Sequence, residues 1–233
     1  MRIAIMQPYV FPFIGYFQLI SAVDKFVLYD DVNYINRGWI NRNNLLVNGV
    51  PYLFSIPLKH ASQNRLINDN IEIIDFGKWV NKFFKTLEGS YKKAPFFYEV
   101  VGLLESVLIE STQYIHTLAA YAIVATVKYL NLETEIILSS TQYQNAHLKG
   151  QARILDICKK EAASDYINPI GGIEIYSREL FEIEQVKLNF LKTNSHTYKQ
   201  FGHAFVPYLS IIDVMMFNSK SELQHLLTEY TLL

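Results

Sequence analysis

Two polar clusters near the start of the chain have the residue types and spacing to bind a ligand. Gln7 and Tyr9 directly follow the first apolar run of the sequence, and Asp30 and Asp31 follow the second. In open α/β sheets ligands lie outside the carboxyl ends of the strands, and both clusters fall at such ends. A carboxylate there could deprotonate an amine, hold a ribose or ligate Mg²⁺, and the spacing leaves these roles open. The sequence therefore predicts a ligand site at this edge of a sheet.

A polar segment after the paired acids supplies cationic groups. Arg37 and Arg42 lie beside Trp39 and Asn41. Because a guanidinium group binds phosphate or carboxylate through paired hydrogen bonds, we predict that this segment binds an anionic part of a substrate. Internal pairing of these arginines with the two acids is the alternative.

A second cationic pair, Lys149 and Arg153, begins a predicted helix after a run of hydroxyl side chains. Residues four apart share one helix face, and helix N-termini favour anions. The pattern Gly-x4-Gly-Lys-Ser/Thr is absent, so this is no P-loop. A phosphate-facing pair and a solvated helix face fit equally well.

The carboxyl-terminal third offers glycines, hydrogen-bonding side chains and histidines. The substrate-binding candidates there are Asn168, Gly171, Gly172, Tyr198 and Gln200. The glycine backbone could serve as an oxyanion donor, and His203 is a candidate acid or base near neutral pH. No histidine spacing typical of zinc occurs, and we predict no bound structural metal.

Composition excludes several classes of function. The chain has 233 residues, half of them apolar, with 21 basic and 22 acidic residues and a net charge of -1. This charge gives no global field for nucleic acid or an anionic membrane. Pro8, Pro12 and Gly15 break the first apolar region long before the roughly 20 residues of a membrane span. We therefore expect a cytoplasmic protein with no membrane span, and the single cysteine excludes an internal disulfide.

The elements that must position these residues alternate between strand and helix. We predict one α/β domain over residues 1–233, with a Rossmann-like, mostly parallel sheet and a helical insertion at about 77–131. The strands are expected at 2–6, 25–29, 52–57, 71–74, 133–139, 166–167 and 186–191, and the helices at 77–91, 96–131, 149–162 and 210–217. Gly15 and Tyr16 open the first helix, where Gly15 allows a close approach to a ligand.

Seven separated motifs, in order, resemble the WbqC-like family. They are Gln7-Pro8-Tyr9, Pro12-x-x-Gly15-Tyr16-Phe17, Asp30-Asp31-Val32, Arg37-Gly38-Trp39-x-Asn41-Arg42, Lys149-x-x-x-Arg153-Ile154, Asn168-Pro169-x-Gly171-Gly172 and Leu209-Ser210-Ile211-Ile212-Asp213. The resemblance implies work in bacterial O-antigen and other surface-polysaccharide biosynthesis, on a nucleotide-linked or lipid-linked sugar. One departure, Asn33 where Gln is expected, keeps the amide.

Together these features favour a transferase that joins an acyl or aminoacyl group to the amine of a nucleotide-linked amino sugar. Its partners would be that sugar, an activated donor and, as an option, a carrier protein. The cofactor stays open, with Mg²⁺ and a nucleotide as one option. A nucleotidylyltransferase-like or adenylate-forming enzyme is an alternative, although Phe13-Ile14-Gly15-Tyr16 lacks the histidines of the His-x-Gly-His motif. A non-catalytic module that binds sugar nucleotides or a carrier protein is another.

Overall fold

A six-stranded sheet organises the chain in the computed structural model, which describes residues 1–110, 113–195, 197–202 and 204–233. The strands are β1 (Arg2–Met6), β2 (Lys25–Leu28), β3 (Arg42–Val47), β4 (Val50–Ser55), β5 (Glu135–Ile137), β6 (Asp165–Pro169), β7 (Lys187–Thr193) and β8 (Tyr230–Leu232). The helices are α1 (Ile14–Ser21), α2 (Phe76–Tyr91), α3 (Phe97–Glu110), α4 (Ile115–Tyr129), α5 (Gly150–Lys160), α6 (Arg178–Ile183), α7 (Ile211–Phe217) and α8 (Lys220–Thr228).

The order of strands in the main sheet is β5-β2-β1-β6-β7-β8. The first five of these strands run parallel, and β8 pairs with β7 in the antiparallel sense. This is the strand order of the Rossmann fold. From β1 the chain adds strands first on one side and then, starting with β6, on the other, which leaves a crevice between β1 and β6. The predicted Rossmann-like, mostly parallel sheet is confirmed.

Helices cover both faces of the sheet, so its strands are buried on both sides. Along β1, Ala4 packs with the core that includes α1, α4 and α7, whereas Ile3 and Ile5 pack with α5 and α6 on the other face. The period of two along each strand produces this division. Alternate residues along a strand therefore face one helix layer or the other.

A separate hairpin of β3 and β4 differs from the predicted pattern. Its two-residue turn, Asn48-Gly49, has φ values of +52° and +78°. Both residues take the left-handed region, which suits Asn-Gly and matches the twist of the flanking strands. The strand predicted at residues 52–57 overlaps β4, whereas no strand is predicted at β3. The predicted strand at 71–74 forms only isolated bridges, Leu58 with Ile73 and Glu72 with Tyr114.

The helical insertion contains three helices rather than the two predicted. The long second block divides into α3 and α4 because the intervening chain pairs with residues 71–73. The N–H of Ile73 donates to the carbonyl of Gln113 at 2.7 Å, and the N–H of Ile115 donates to Ile71 at 3.0 Å. At the end of the chain, α6, α8 and β8 were not predicted, although Ser219 and Glu222 form a capping box at α8. Over the described ranges, every helix is too short or too polar to cross a membrane.

Candidate functional site

A buried ion pair joins the ends of two distant segments at the carboxyl edge of the sheet. Asp31 follows β2, and its Oδ2 lies 2.5 Å from Nη2 of Arg153 on α5. Arg153 is 3% exposed and also donates from Nη1 to the carbonyl of Asp31 and from Nε to Asn145. Its guanidinium lies 4.8 Å from the centre of the Tyr29 ring. Arg153 is therefore committed to internal partners on several sides.

Asp30 is held beside this pair by two serines that follow β5. Its Oδ1 accepts from Ser139 Oγ at 2.8 Å and from the N–H of Ser140 at 3.1 Å. The Ser140 hydroxyl donates to Asp31 and accepts the N–H of Asp30. Burial raises the pKa of Asp30, and the serine hydrogen bonds oppose this effect. The hydroxyl cluster thus ties neighbouring strand ends together. We call Asp30, Asp31, Ser139, Ser140 and Arg153 the acid cluster.

His116, in the first turn of α4, lies within electrostatic reach of Asp30. The carbonyl of Asp30 accepts the N–H of Asn68, and residues 71–73 of the same segment pair with the chain just before α4. Burial lowers the pKa of His116, and the carboxylate of Asp30 partly offsets this by raising it. The Nδ1 atom of His116 is buried and has no hydrogen-bond partner among the described residues. Burial therefore favours the neutral imidazole, and Nδ1 is its ring nitrogen without a partner among the described residues.

The β1 loop, residues 7–13, is fixed by motifs from distant parts of the sequence. Phe11 is fully buried with φ at +47°, an unfavourable value for an aromatic residue. Its carbonyl accepts from Asn43 Nδ2 at 2.8 Å and from Ser210 Oγ at 2.7 Å. The Tyr16 hydroxyl donates to the carbonyl of Gln7 at 2.9 Å. The amino-terminal and carboxyl-terminal motifs therefore meet at one loop, where the buried Oε1 of Gln7 has no partner among the described residues.

Beside the β1 loop, the end of β6 forms the other wall of the crevice. Asn168 accepts from the Tyr166 hydroxyl at 3.0 Å and donates to the carbonyl of Pro169 at 2.9 Å. A Cβ atom on Gly172 would collide with the Asn168 amide, so a larger residue there would displace the Asn168 side chain. Gly171 is exposed, with open space where a Cβ would lie. Gly172 therefore has a packing role, whereas Gly171 lies at the surface.

A second buried carboxylate, Asp213 on α7, lies away from the acid cluster. It accepts hydrogen bonds from the Tyr91 hydroxyl at 2.8 Å, the Tyr198 hydroxyl at 2.6 Å and Gln200 Nε2 at 2.9 Å. Burial raises the pKa of Asp213, and these three donors oppose that effect. This Asp213 centre joins α2, α7 and the chain between β7 and α7.

Next to the Asp213 centre, a cavity of about 560 Å³ opens at the carboxyl end of β7. Lys192 and Thr193 at the strand end, Ile14 of α1, and Phe205 and Tyr208 contribute to its walls. A Cβ on Gly15 would lie 2.6 Å from Thr193 Oγ1, so Gly15 lets α1 approach this strand closely. We call this space the β7 cavity. It lies at the same edge of the sheet as the acid cluster.

The sequence matches a known protein family over most of its length. A family model described as the WbqC-like protein family matches residues 7–225. The chain belongs to this WbqC-like family. It is also 27% identical over 227 residues to the protein named "Uncharacterized protein Rv1507c" of Mycobacterium tuberculosis, with 95% of each chain covered. No solved structure matches the chain.

Several predicted binding residues of this WbqC-like chain lie apart from the acid cluster or have structural partners. Arg37 and Lys149 are exposed, and neither forms an ion pair with a described residue. Arg42 donates to the carbonyl of Gly38 at 2.8 Å and lies 5.8 Å from the Trp39 ring. Asn41 binds the Tyr34 hydroxyl and the carbonyl of Ile56. The alternative, in which Arg37 and Arg42 pair with Asp30 and Asp31, does not occur among the described residues, because Asp31 pairs with Arg153. Binding of an anionic substrate by Arg37 and Arg42 stays a prediction.

Other predicted site residues of this WbqC-like chain have structural partners or lie outside the described residues. Tyr198 and Gln200 use their polar atoms on Asp213, and of these two Tyr198 lines the β7 cavity. Tyr9 is partly buried against Tyr16, with ring centres 5.7 Å apart, and burial raises its pKa to about 12. His203, our predicted acid or base, lies outside the described residues, as does His196. Among the described residues, no group of three or more histidine, cysteine, aspartate or glutamate side chains could hold a metal ion.

Two features of this WbqC-like chain are not predicted by its sequence. His116 lies inside an apolar block that reads as a packing helix, and no motif marks it. Its only sequence signal is that it is a histidine near the start of a helix. The β7 cavity is lined mostly by residues between 192 and 214, together with Phe13 and Ile14 from the start of the chain, and no motif in that stretch marks it.

Proposed function

We propose that the chain is a transferase that joins an acyl or aminoacyl group to the amine of a nucleotide-linked amino sugar. The reaction would serve the synthesis of bacterial surface polysaccharides such as the O-antigen of lipopolysaccharide. The observation that supports the proposal is the buried Nδ1 of His116, which has no partner among the described residues and lies within electrostatic reach of Asp30. The pKa of Asp30 is raised and that of His116 is lowered. Two titratable groups whose pKa values are shifted in opposite directions are typical of acid–base sites.

His116 has the properties of a general base for amine attack. Its lowered pKa keeps the imidazole neutral, and its free Nδ1 can accept a proton. In the proposed step the sugar nitrogen bonds to the carbonyl carbon of a thioester donor, and His116 takes the proton that the nitrogen loses. The carbon–sulfur bond breaks, and the imidazolium of His116 gives this proton to the departing thiolate, which leaves as the thiol. The carboxylate of Asp30 stabilises the imidazolium that forms, because opposite charges at short range attract.

The fold supports a nucleotide-linked substrate at this position. Ligands of Rossmann-type sheets bind in the crevice where the strand order reverses, which here lies between β1 and β6. The β1 loop contributes Gln7, whose buried Oε1 is ready to accept a hydrogen bond from a substrate amine or hydroxyl. The acid cluster follows β2, the strand next to β1. A substrate in the crevice would therefore reach Asp30 within one strand spacing.

The test is a turnover assay with nucleotide-linked amino sugars and acyl-coenzyme A, followed by mass spectrometry of the sugar product. Loss of a general base slows catalysis by about 10²- to 10⁴-fold, so Asp30→Asn and His116→Gln should lose at least about 10²-fold in kcat. Asp165→Asn is the matched control, because Asp165 begins β6 at the opposite edge of the sheet.

Three outcomes would contradict the proposal. Full activity in both variants would remove His116 and Asp30 from the mechanism. Release of pyrophosphate from ATP and Mg²⁺, without acyl transfer, would identify a nucleotidyl transferase instead. Binding of the sugar nucleotide without turnover of any donor would identify a binding module.

A further inference from the structure

We propose that the β7 cavity binds the nucleoside phosphate part of a substrate, whose reactive end then lies toward Asp30 and His116. This inference rests on the proposed transferase function and identifies where the nucleotide portion of a substrate is held. The shared chemistry is a planar base with a phosphate, which either the nucleotide-linked sugar or the coenzyme A donor would supply.

The composition of the cavity walls suits such a ligand. Phe13, Phe205 and Tyr208 provide aromatic rings on which a base can stack, and Lys192 provides a cation for phosphate. The Thr193 hydroxyl lies at the same strand end. Lys192 is exposed and forms no ion pair with a described residue. The volume of about 560 Å³ falls within the range of about 300–1,000 Å³ that small-molecule sites occupy.

Tyr208 is a strained residue at this cavity. Its φ is +58°, in the left-handed region that bulky side chains rarely adopt, and its side chain is 76% exposed. An exposed ring gains little from burial that could offset this strain. Strained positions of this kind cluster at ligand-binding sites, where the surrounding structure holds a side chain ready for contact. The strain therefore supports a stacking role for the Tyr208 ring.

The cavity wall is held in place before any ligand binds. The Tyr198 hydroxyl donates to the fully buried carboxylate of Asp213 at 2.6 Å. The side chain of Gln200 binds the backbone of Val206 twice. It accepts the N–H of Val206 at 2.8 Å and donates to its carbonyl at 3.1 Å. A fixed wall lowers the entropic cost of binding.

The distance between the cavity and the acid cluster suits an extended ligand. Strands β1 and β6 separate β2 from β7, so three strand spacings, about 14 Å, lie between the two strand ends. The crevice between β1 and β6 falls inside this span. Leu28 on β2 and Leu191 on β7 both pack on the sheet face that α1 covers. A nucleoside diphosphate laid along the edge would join the two regions.

Calorimetric titration of the whole protein with a nucleoside diphosphate alone, and separately with coenzyme A, tests this inference. For the probe that binds, Tyr208→Asn should raise Kd about tenfold or more, because it removes the stacking ring. Asparagine tolerates a positive φ, so this variant should keep its melting temperature. Lys192→Gln should also weaken the binding of either phosphate probe.

Two controls separate this inference from the proposed function. Tyr98→Asn removes a tyrosine of matching exposure, 77%, on α3 and should leave Kd unchanged. Asp30→Asn should also bind the nucleoside diphosphate or coenzyme A as the wild type does. Whichever probe is sensitive to Tyr208→Asn identifies the substrate that supplies the nucleotide.

The inference is overturned if neither probe binds, or if Tyr208→Asn and wild type bind both probes equally. Acyl transfer that continues despite such a result would leave the proposed function standing. Binding that depends on Tyr208, without any acyl transfer, would instead support the cavity and reject the transferase.

Discussion

The chain contains two buried carboxylate centres, Asp213 and the acid cluster, and different kinds of partner stabilise the buried charge in each. Asp213 is surrounded by three neutral donors, and all of them come from elements that it joins. Asp30 lies next to a buried ion pair, Asp31 with Arg153, and near His116, whose Nδ1 has no partner among the described residues. A satisfied centre stabilises and fixes the fold, whereas a free polar atom beside it points to a ligand. We therefore expect Asp213 to act on stability, and Asp30 with His116 to act in the proposed reaction.

The largest effect is expected from removing the cation of the acid cluster. Arg153→Met leaves the carboxylate of Asp31 buried without its partner, which costs about 3–5 kcal/mol of unfolding free energy. Urea denaturation followed by circular dichroism measures this loss. Arg37→Met is the control, because Arg37 is exposed and should change stability by less than about 0.5 kcal/mol.

A second variant distinguishes loss of the ion pair from loss of packing. Adding Asp31→Asn to Arg153→Met removes the uncompensated charge and should restore part of the lost stability. If the single variant lost less than about 1 kcal/mol, the pair would behave like an exposed one, and the contrast between the two centres would weaken.

The Asp213 centre should respond more mildly, because no charge partner is involved. Asp213→Asn replaces one acceptor oxygen with an amide NH₂ that faces a hydrogen-bond donor, which costs about 1–3 kcal/mol. Chemical denaturation measures the change, and Asp165→Asn at the amino end of β6 is the matched control. A lower kcat per folded molecule, with unchanged stability, would contradict the purely architectural role of Asp213.

The sequence predicted the main sheet well because buried parallel strands and amphipathic helices carry strong periodic signals. It also placed Asp30 and Asp31 correctly at the end of β2. It could not identify Arg153 as the partner of Asp31, since 122 residues separate them. That contact depends on β5 pairing with β2 and on α5 returning to the same edge, which no local pattern specifies.

Other omissions had usable local signals. The Asn48-Gly49 pair between two apolar runs is a strong hairpin signal, and it would have revealed β3. Ser219 and Glu222 have capping-box spacing and would have revealed α8. His116 is different, because its importance comes from burial and from Asp30 rather than from its neighbours in sequence. The site was thus less predictable than the fold because it depends on contacts between segments.

The smallest expected effect is a shift in the titration of His116, which tests whether His116 and Asp30 interact. Burial lowers its folded-state pKa below the ordinary value of 6.5, while Asp30 raises it in part. Its proton NMR signal should therefore titrate below pH 6.5 in the wild type, and lower still in Asp30→Asn, because that variant removes the favourable carboxylate. A midpoint at or above 6.5, or an upward shift in Asp30→Asn, would separate His116 from Asp30 and remove the basis for the proton-transfer pair.

The same displacement predicts the sign of a pH effect on stability. Between the lowered folded-state pKa and 6.5, the unfolded chain binds more protons at His116 than the folded chain does. The contribution of His116 to stability is therefore complete above pH 6.5 and is lost as the pH falls through this window, with a slope of at most about 1.4 kcal/mol per pH unit. His116→Gln should lack this slope, whereas His225→Gln, which alters an exposed histidine on α8, should retain it. Equal slopes in both variants would show that His116 titrates alike in the folded and unfolded chain, and the acid cluster would then differ from the Asp213 centre only in its charge pair.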